Sequence, residues 1–167
     1  MAGVSITTHV AAPVDAVFAV FTDLEQLAGR VKTIQRIEKL TPGLVGLGTR
    51  FREMRVVFKR EATEEFEFTA FLPNRNYTLE GDSCGAHYTA AYRFEPTSSG
   101  TQVTLDFSWQ ARSLKARLLA PLGWLMKGTM RKRLQQDLQE MKVAAETAAK
   151  QPTRGFGGPI SGIEAGF

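Results

Sequence analysis

Glu53, Arg55 and Glu64 are the residues whose types and spacing could do chemistry. Glu53 and Arg55 are two apart in a run with strand-like alternation, so they share one face. Glu64 falls in the run Glu61 to Phe71, where Ala62, Phe66, Phe68 and Ala70 share its face. Glu61, Thr63, Glu65, Glu67 and Thr69 take the other. The phenylalanines must point inward and the Glu/Thr row outward, which carries three charged groups inside. Buried charge is expensive unless paired, so one reading is a self-satisfied structural ion cluster. The other is a set of polar anchors in a mostly apolar pocket. There Arg55 would hold a carboxylate or enolate oxygen by a forked contact. A carboxylate so placed can have a raised pKa and act as general acid or base. Tyr77, Tyr88, Tyr92 and Trp109 fall on the same interior face. Each alone reads as a core aromatic, but their polar ends need partners, and their clustering with Arg55 favours a site.

Other chemistries find little support. His9 and His87 fall on the outer face without a constellation of metal-ligand spacing, so no metal is expected. No cofactor is expected either. Gly155 to Gly158 has no strand before it and no helix after it, and so is no phosphate loop. There is no Gly-x-Ser-x-Gly elbow or Cys/His pair. Cys84 is the only cysteine, which rules out an intramolecular disulfide. The formal charge is +4, from 21 Lys and Arg against 17 Asp and Glu. That is far from a nucleic-acid-binding composition, and no nucleic-acid partner is expected.

The elements that must position these residues follow from periodicity. Val4 to Val10 alternates as a half-buried strand. Pro13 suits a helix start, and Val14, Val17, Phe18 and Phe21 follow at helical spacing. Thr22 or Asp23 can cap a second short helix, Leu24 to about Val31. Six strand runs follow, at about 34–41, 49–58, 61–71, 76–83, 86–95 and 102–111. Their hairpin-length gaps mean a meander. A two-residue turn at Lys59-Arg60 would put Arg55 opposite Glu64, Glu53 opposite Phe66, and Arg52 with Glu67 outside. A turn at Cys84-Gly85 puts Tyr77 opposite Tyr92 and Leu79 opposite Ala90. Val103, Leu105, Phe107 and Trp109 face in from the last strand. From Leu114 to Ala148 apolar residues recur every three or four, with a break near Pro121. Lys127, Arg131, Lys132 and Arg133 are read on the opposite, solvated face. A rival reading gives that basic face to anionic lipid, helped by Leu118 to Trp124.

Residues 1–149 read as a single domain and 150–167 as a disordered tail with five glycines and two prolines. Residues 1–10 lack the pattern of a signal peptide, and the run Leu118 to Met126 is too short to span a bilayer. A cytoplasmic location follows by default.

A family resemblance rests on Ala12 to Phe18, Thr22 to Glu25, Gly48 to Phe51, Gly100 to Thr104 and Leu138 to Glu146. With these segments the chain, over roughly residues 3–149, resembles the START-like, helix-grip SRPBCC superfamily and its polyketide cyclase/dehydrase-type proteins. The resemblance implies an α+β fold: a curved antiparallel seven-stranded sheet around a long C-terminal helix, with two short helices after the first strand. It also implies a cavity between sheet and helix for a small hydrophobic molecule that is lipid-, polyketide- or aromatic-like. Leu118 to Met126 would lie near its mouth. Many relatives carry Trp-Pro after the second helix, where this chain has Gly29-Arg30-Val31, so substrate class does not carry over. The expected ligand-binding residues are Glu53, Arg55, Glu64, Phe66, Phe68, Tyr77, Tyr88, Tyr92, Phe107, Trp109, Leu122, Met126 and Met130. The alternatives are a cyclase or dehydratase with Glu53 or Glu64 as base and Arg55 on the enolate, and a membrane-surface or protein-interaction module.

Overall fold

Val4, Ile6 and Val10 are buried along β1 (Ala2–Val10), as their alternation requires. The computed structural model describes residues 2–57, 60–83, 85–112 and 120–151, with side chains for 3–56, 61–83, 85–112 and 127–151. Two short helices follow, α1 (Val14–Thr22) and α2 (Leu24–Arg30). Asp23 caps the second: its carboxylate accepts from the Gln26 amide at 3.4 Å. The strands are β2 (Ile34–Lys39), β3 (Arg50–Val57), β4 (Arg60–Leu72), β5 (Asn76–Ser83), β6 (Ala86–Thr97) and β7 (Gly100–Ala111). Helix α3 (Ala120–Lys150) ends the described chain. Pro121 lies in its first turn, where a missing N–H is tolerated. The expected helical stretch 114–119 and the Gly/Pro-rich tail beyond 151 lie outside the described residues.

The seven strands form one antiparallel sheet in the order β1-β7-β6-β5-β4-β3-β2. This is the expected meander with β1 added at the far edge. Helices α1 and α2 carry the chain from one edge of the sheet to the other. The long helix is tied to those connections by three acidic side chains. Glu146 accepts from the Ala11 amide at 2.9 Å, Glu140 accepts from the Lys32 amide at 2.8 Å, and Asp137 accepts from the Thr33 hydroxyl at 3.3 Å. Leu138, Met141 and Ala145 bury its apolar stripe in the core.

Two register expectations need correction. Val57 pairs with Arg60, so Glu53 lies opposite Glu64, Arg55 opposite Ala62 and Phe51 opposite Phe66. Arg52 meets Glu65, not Glu67. The slip is one residue on each strand, so every side chain keeps its expected face. The second correction is a bulge between Phe68 and Ala70. It places Ala70 opposite Thr78 on the outer face and turns Phe71 inward. The Phe71 ring then packs 5.6 Å from Phe68 and 5.4 Å from Phe18. Strict alternation misplaces both residues because a bulge adds one position to one strand only. Tyr77 faces Tyr92 and Leu79 faces Ala90, as expected. Gly81 of β5 lies tight against β4: a Cβ there would be 2.4 Å from the Glu65 carbonyl oxygen.

Candidate functional site

The inner face of the sheet is aromatic along nearly its whole width. Phe51, Phe66 and Phe68 come from β3 and β4, Tyr77 from β5, Tyr88 and Tyr92 from β6, and Phe107 from β7. Phe18 of α1 packs edge-on against Phe71, Tyr77 and Phe94, and Phe21 does the same against Tyr92 and Phe94. The first short helix therefore plugs one end of the curved sheet with two phenylalanines at helical spacing. Between that plug, the sheet and α3 lies a cavity of about 470 Å³. This is the size of a site for a molecule of a few fused rings or a short acyl chain.

Of the expected site residues, Glu53, Arg55, Glu64, Phe66, Phe68, Tyr77, Tyr88, Tyr92, Phe107 and Met130 all line this cavity. Trp109 does not. It packs against Phe107, with ring centroids 6.0 Å apart, and belongs to the surrounding core. The side chains of Leu122 and Met126 lie outside the described residues. Among the lining residues not foreseen are Leu24 and Leu27 of α2 and the polar pair Arg133 and Asp137 of α3. Arg133 was expected in solvent with Lys127, Arg131 and Lys132, which are indeed exposed. It sits beside the apolar stripe formed by Met130 and Leu134, so its stem follows that stripe and its head reaches the cavity. The spacing 133, 137 is one helical turn, which places both charges along the same side of the stripe.

The charges form a defined array. The Arg55 Nε donates to Glu53 Oε1 in a close contact. Its Nη1 donates to Asp137 Oδ2 at 2.5 Å and to the Thr33 hydroxyl at 3.3 Å. Glu53 is 5% exposed, so this is a buried cluster whose members depend on each other. Among the described residues Glu64 and Arg133 make no ion pair or hydrogen bond, although both line the cavity. The Tyr77 and Tyr92 hydroxyls likewise have no hydrogen-bond partner among the described residues. Their rings are stacked, with centroids 4.7 Å apart.

Burial pushes the Tyr77 phenol well above its ordinary pKa, and Tyr92 beside it adds to the rise. The Tyr92 phenol is pushed up to about 12, first by burial and then by the Asp137 charge, with Arg55 opposing. Both hydroxyls therefore stay protonated and present donors to the cavity. The unfolded chain ionises them first, near pH 10. Their contribution to stability is then fully present below about pH 10 and is lost as the pH rises toward 12. Urea midpoints measured from pH 9 to 12 should fall across that window. The fall should be smaller in the Tyr77→Phe/Tyr92→Phe variant. An equal fall in both proteins would refute the assignment.

Sheet, helix and the cavity between them define the class: a helix-grip protein with a largely apolar compartment between its sheet and its long helix. The chain belongs to the polyketide cyclase / dehydrase and lipid transport family, whose model matches residues 1–146. Solved structures share the fold at low identity. TTHA0849 from Thermus thermophilus is 20% identical with a TM-score of 0.69, covering 89% of this chain and 100% of that one. The Zhui aromatase/cyclase from Streptomyces sp. R1128 is 19% identical with a TM-score of 0.70, covering 87% and 93%. StfQ, a di-domain ARO/CYC of the steffimycin biosynthetic pathway, is 15% identical with a TM-score of 0.71, covering 88% of this chain and 52% of that one. No curated protein matches the chain. Among the described residues no three His, Cys, Asp or Glu side chains are grouped to hold a metal ion. No helix there is long and apolar enough to cross a membrane.

Proposed function

We propose that this protein binds one small, mostly apolar, ring-bearing molecule between its sheet and its long helix. The observation that carries this reading is the cavity itself. It is walled by phenylalanines and aliphatic side chains, and two neutral tyrosine hydroxyls without partners among the described residues open onto it. A void of this kind forfeits dispersion contacts that a close-packed core would keep, and a ligand restores them. The unpartnered hydroxyls would orient that ligand by hydrogen bonds. Membership of the polyketide cyclase / dehydrase and lipid transport family points to the same ligand class.

Native mass spectrometry of the purified chain tests the reading. The expected result is a species heavier than the chain by the mass of one small molecule. It should be displaced by the apolar fluorophore N-phenyl-1-naphthylamine. A spectrum of bare chain only, with no uptake of the fluorophore, would overturn it.

A second reading, as a cyclase or dehydratase, has one specific support. Glu64 faces the cavity without an ion pair among the described residues, so it is free to take a proton from an enolisable substrate. The Tyr77 and Tyr92 hydroxyls would then donate to the developing enolate oxygen. Glu53 suits the part less well, since Arg55 occupies its carboxylate. With a polyketide-like substrate, a Glu64→Gln variant that keeps binding and loses turnover favours this reading over a carrier. The basic surface of α3 supports a membrane-surface role only through the exposure of Lys127, Arg131 and Lys132.

A further inference from the structure

We infer that Arg133 is the charge anchor of the cavity, so that the occupant is an apolar, ring-bearing molecule carrying one anionic oxygen group. The inference deepens the binding role proposed above and rests on it. Five ionisable groups of ordinary acid or guanidinium type line the compartment: Glu53, Arg55, Glu64, Arg133 and Asp137. Arg55 holds two of the three carboxylates, Glu53 and Asp137, by direct contacts. What remains is Arg133 and Glu64, and neither forms an ion pair with the other or with any described residue.

The Arg133 guanidinium is therefore half-withdrawn from water and without a contacting anion. Burial and the neighbouring Arg55 charge lower its pKa, while Asp137 and Glu64 oppose this from farther away. Arginine still stays charged under such conditions. A neutral apolar ligand filling the cavity would remove the remaining water from that charge and leave it uncompensated. A ligand with a carboxylate, sulfonate or phenolate oxygen would instead meet a planar fork of donors. The apolar part of the same molecule has Met130 and Leu134 beside it on α3, and Tyr92 and Phe107 across on the sheet. Arg131 and Lys132, the chain neighbours of Arg133, point to solvent and serve as charge-matched controls.

Two fluorophores with the same ring frame test this. 1-Anilinonaphthalene-8-sulfonate carries a sulfonate, and N-phenyl-1-naphthylamine does not. The wild-type chain should bind the sulfonate probe at least about tenfold more tightly, as a charge-assisted contact implies. Arg133→Gln should abolish that preference by weakening the sulfonate probe, while the neutral probe, no longer desolvating an uncompensated charge, binds as tightly or more tightly. Arg133→Lys should retain part of it, and Arg131→Gln/Lys132→Gln should retain all of it. Should Arg133→Gln fail to fold, Arg133→Met reads the same comparison. Equal affinity for the two probes in the wild type, or a preference that survives loss of the Arg133 charge, would overturn the inference and leave the cavity role standing. If neither probe binds the wild type, the cavity role fails, and the anchor with it.

Discussion

Replacing Arg55 with methionine should lower the stability of the folded chain by about 3–5 kcal/mol, the range for breaking a buried ion pair from one side. The guanidinium holds Glu53 and Asp137 together and also donates to Thr33. With it gone, two carboxylates, 6% and 13% exposed as side chains, are left facing each other without a counter-charge. For a chain of this size the midpoint of thermal unfolding should fall by roughly 10 °C. Neutralising the whole cluster, as Glu53→Gln/Arg55→Met/Asp137→Asn, should recover most of the loss, because no unpaired buried charge remains. Thermal and urea unfolding of the single and triple variants measure both effects. A single variant as stable as the wild type would show that Arg55 is not the keystone of this cluster. This matters for function, because a guanidinium already held by two carboxylates has little left to offer a ligand.

Ala90→Trp should remove ligand binding without removing the fold. Ala90 lies on the inner face, opposite Leu79 on one strand and Phe107 on the other, and its small side chain leaves room in the cavity. An indole there projects into space that is otherwise open, so it gains packing contacts rather than creating a clash with the core. Binding of N-phenyl-1-naphthylamine should weaken at least tenfold, which is about 1.4 kcal/mol or more. The unfolding midpoint should stay level or rise, as cavity-filling changes often do. Ala90→Leu gives a smaller step in the same direction and guards against overpacking. Undiminished binding in a folded Ala90→Trp variant would place the ligand elsewhere on the molecule.

Much of this site can be read from the order of residues. Alternation alone assigns Glu53, Arg55, Glu64, Phe66, Phe68 and the tyrosines to one face, since a strand repeats every two residues. A one-residue slip on both strands at the β3–β4 connection changed partners and left the faces alone. The bulge at Phe68–Ala70 did exchange faces, and no local pattern announces it, because Thr69, Ala70 and Phe71 suit either register. Arg133 and Asp137 were misread or missed for a related reason. A helix has no two-fold alternation to sort them, and residues flanking an apolar stripe face core or solvent according to how the helix rolls on its partner. The only hint was the spacing of an arginine and an aspartate one turn apart beside Met130 and Leu134.

Residue order alone settles the elements, their succession and the sidedness of the sheet, because each follows from short-range periodicity and steric punctuation. It also determined that charge would be carried inside. The tertiary structure decided which charges satisfy one another. Arg55 meets Asp137 across 82 residues of chain, and that contact depends on the position of the long helix over the sheet, which no local pattern encodes. The same docking leaves the space between helix and sheet open and leaves Arg133 facing it. Burial forces pairing wherever a partner is within reach, and only the packed arrangement of distant segments sets what is within reach.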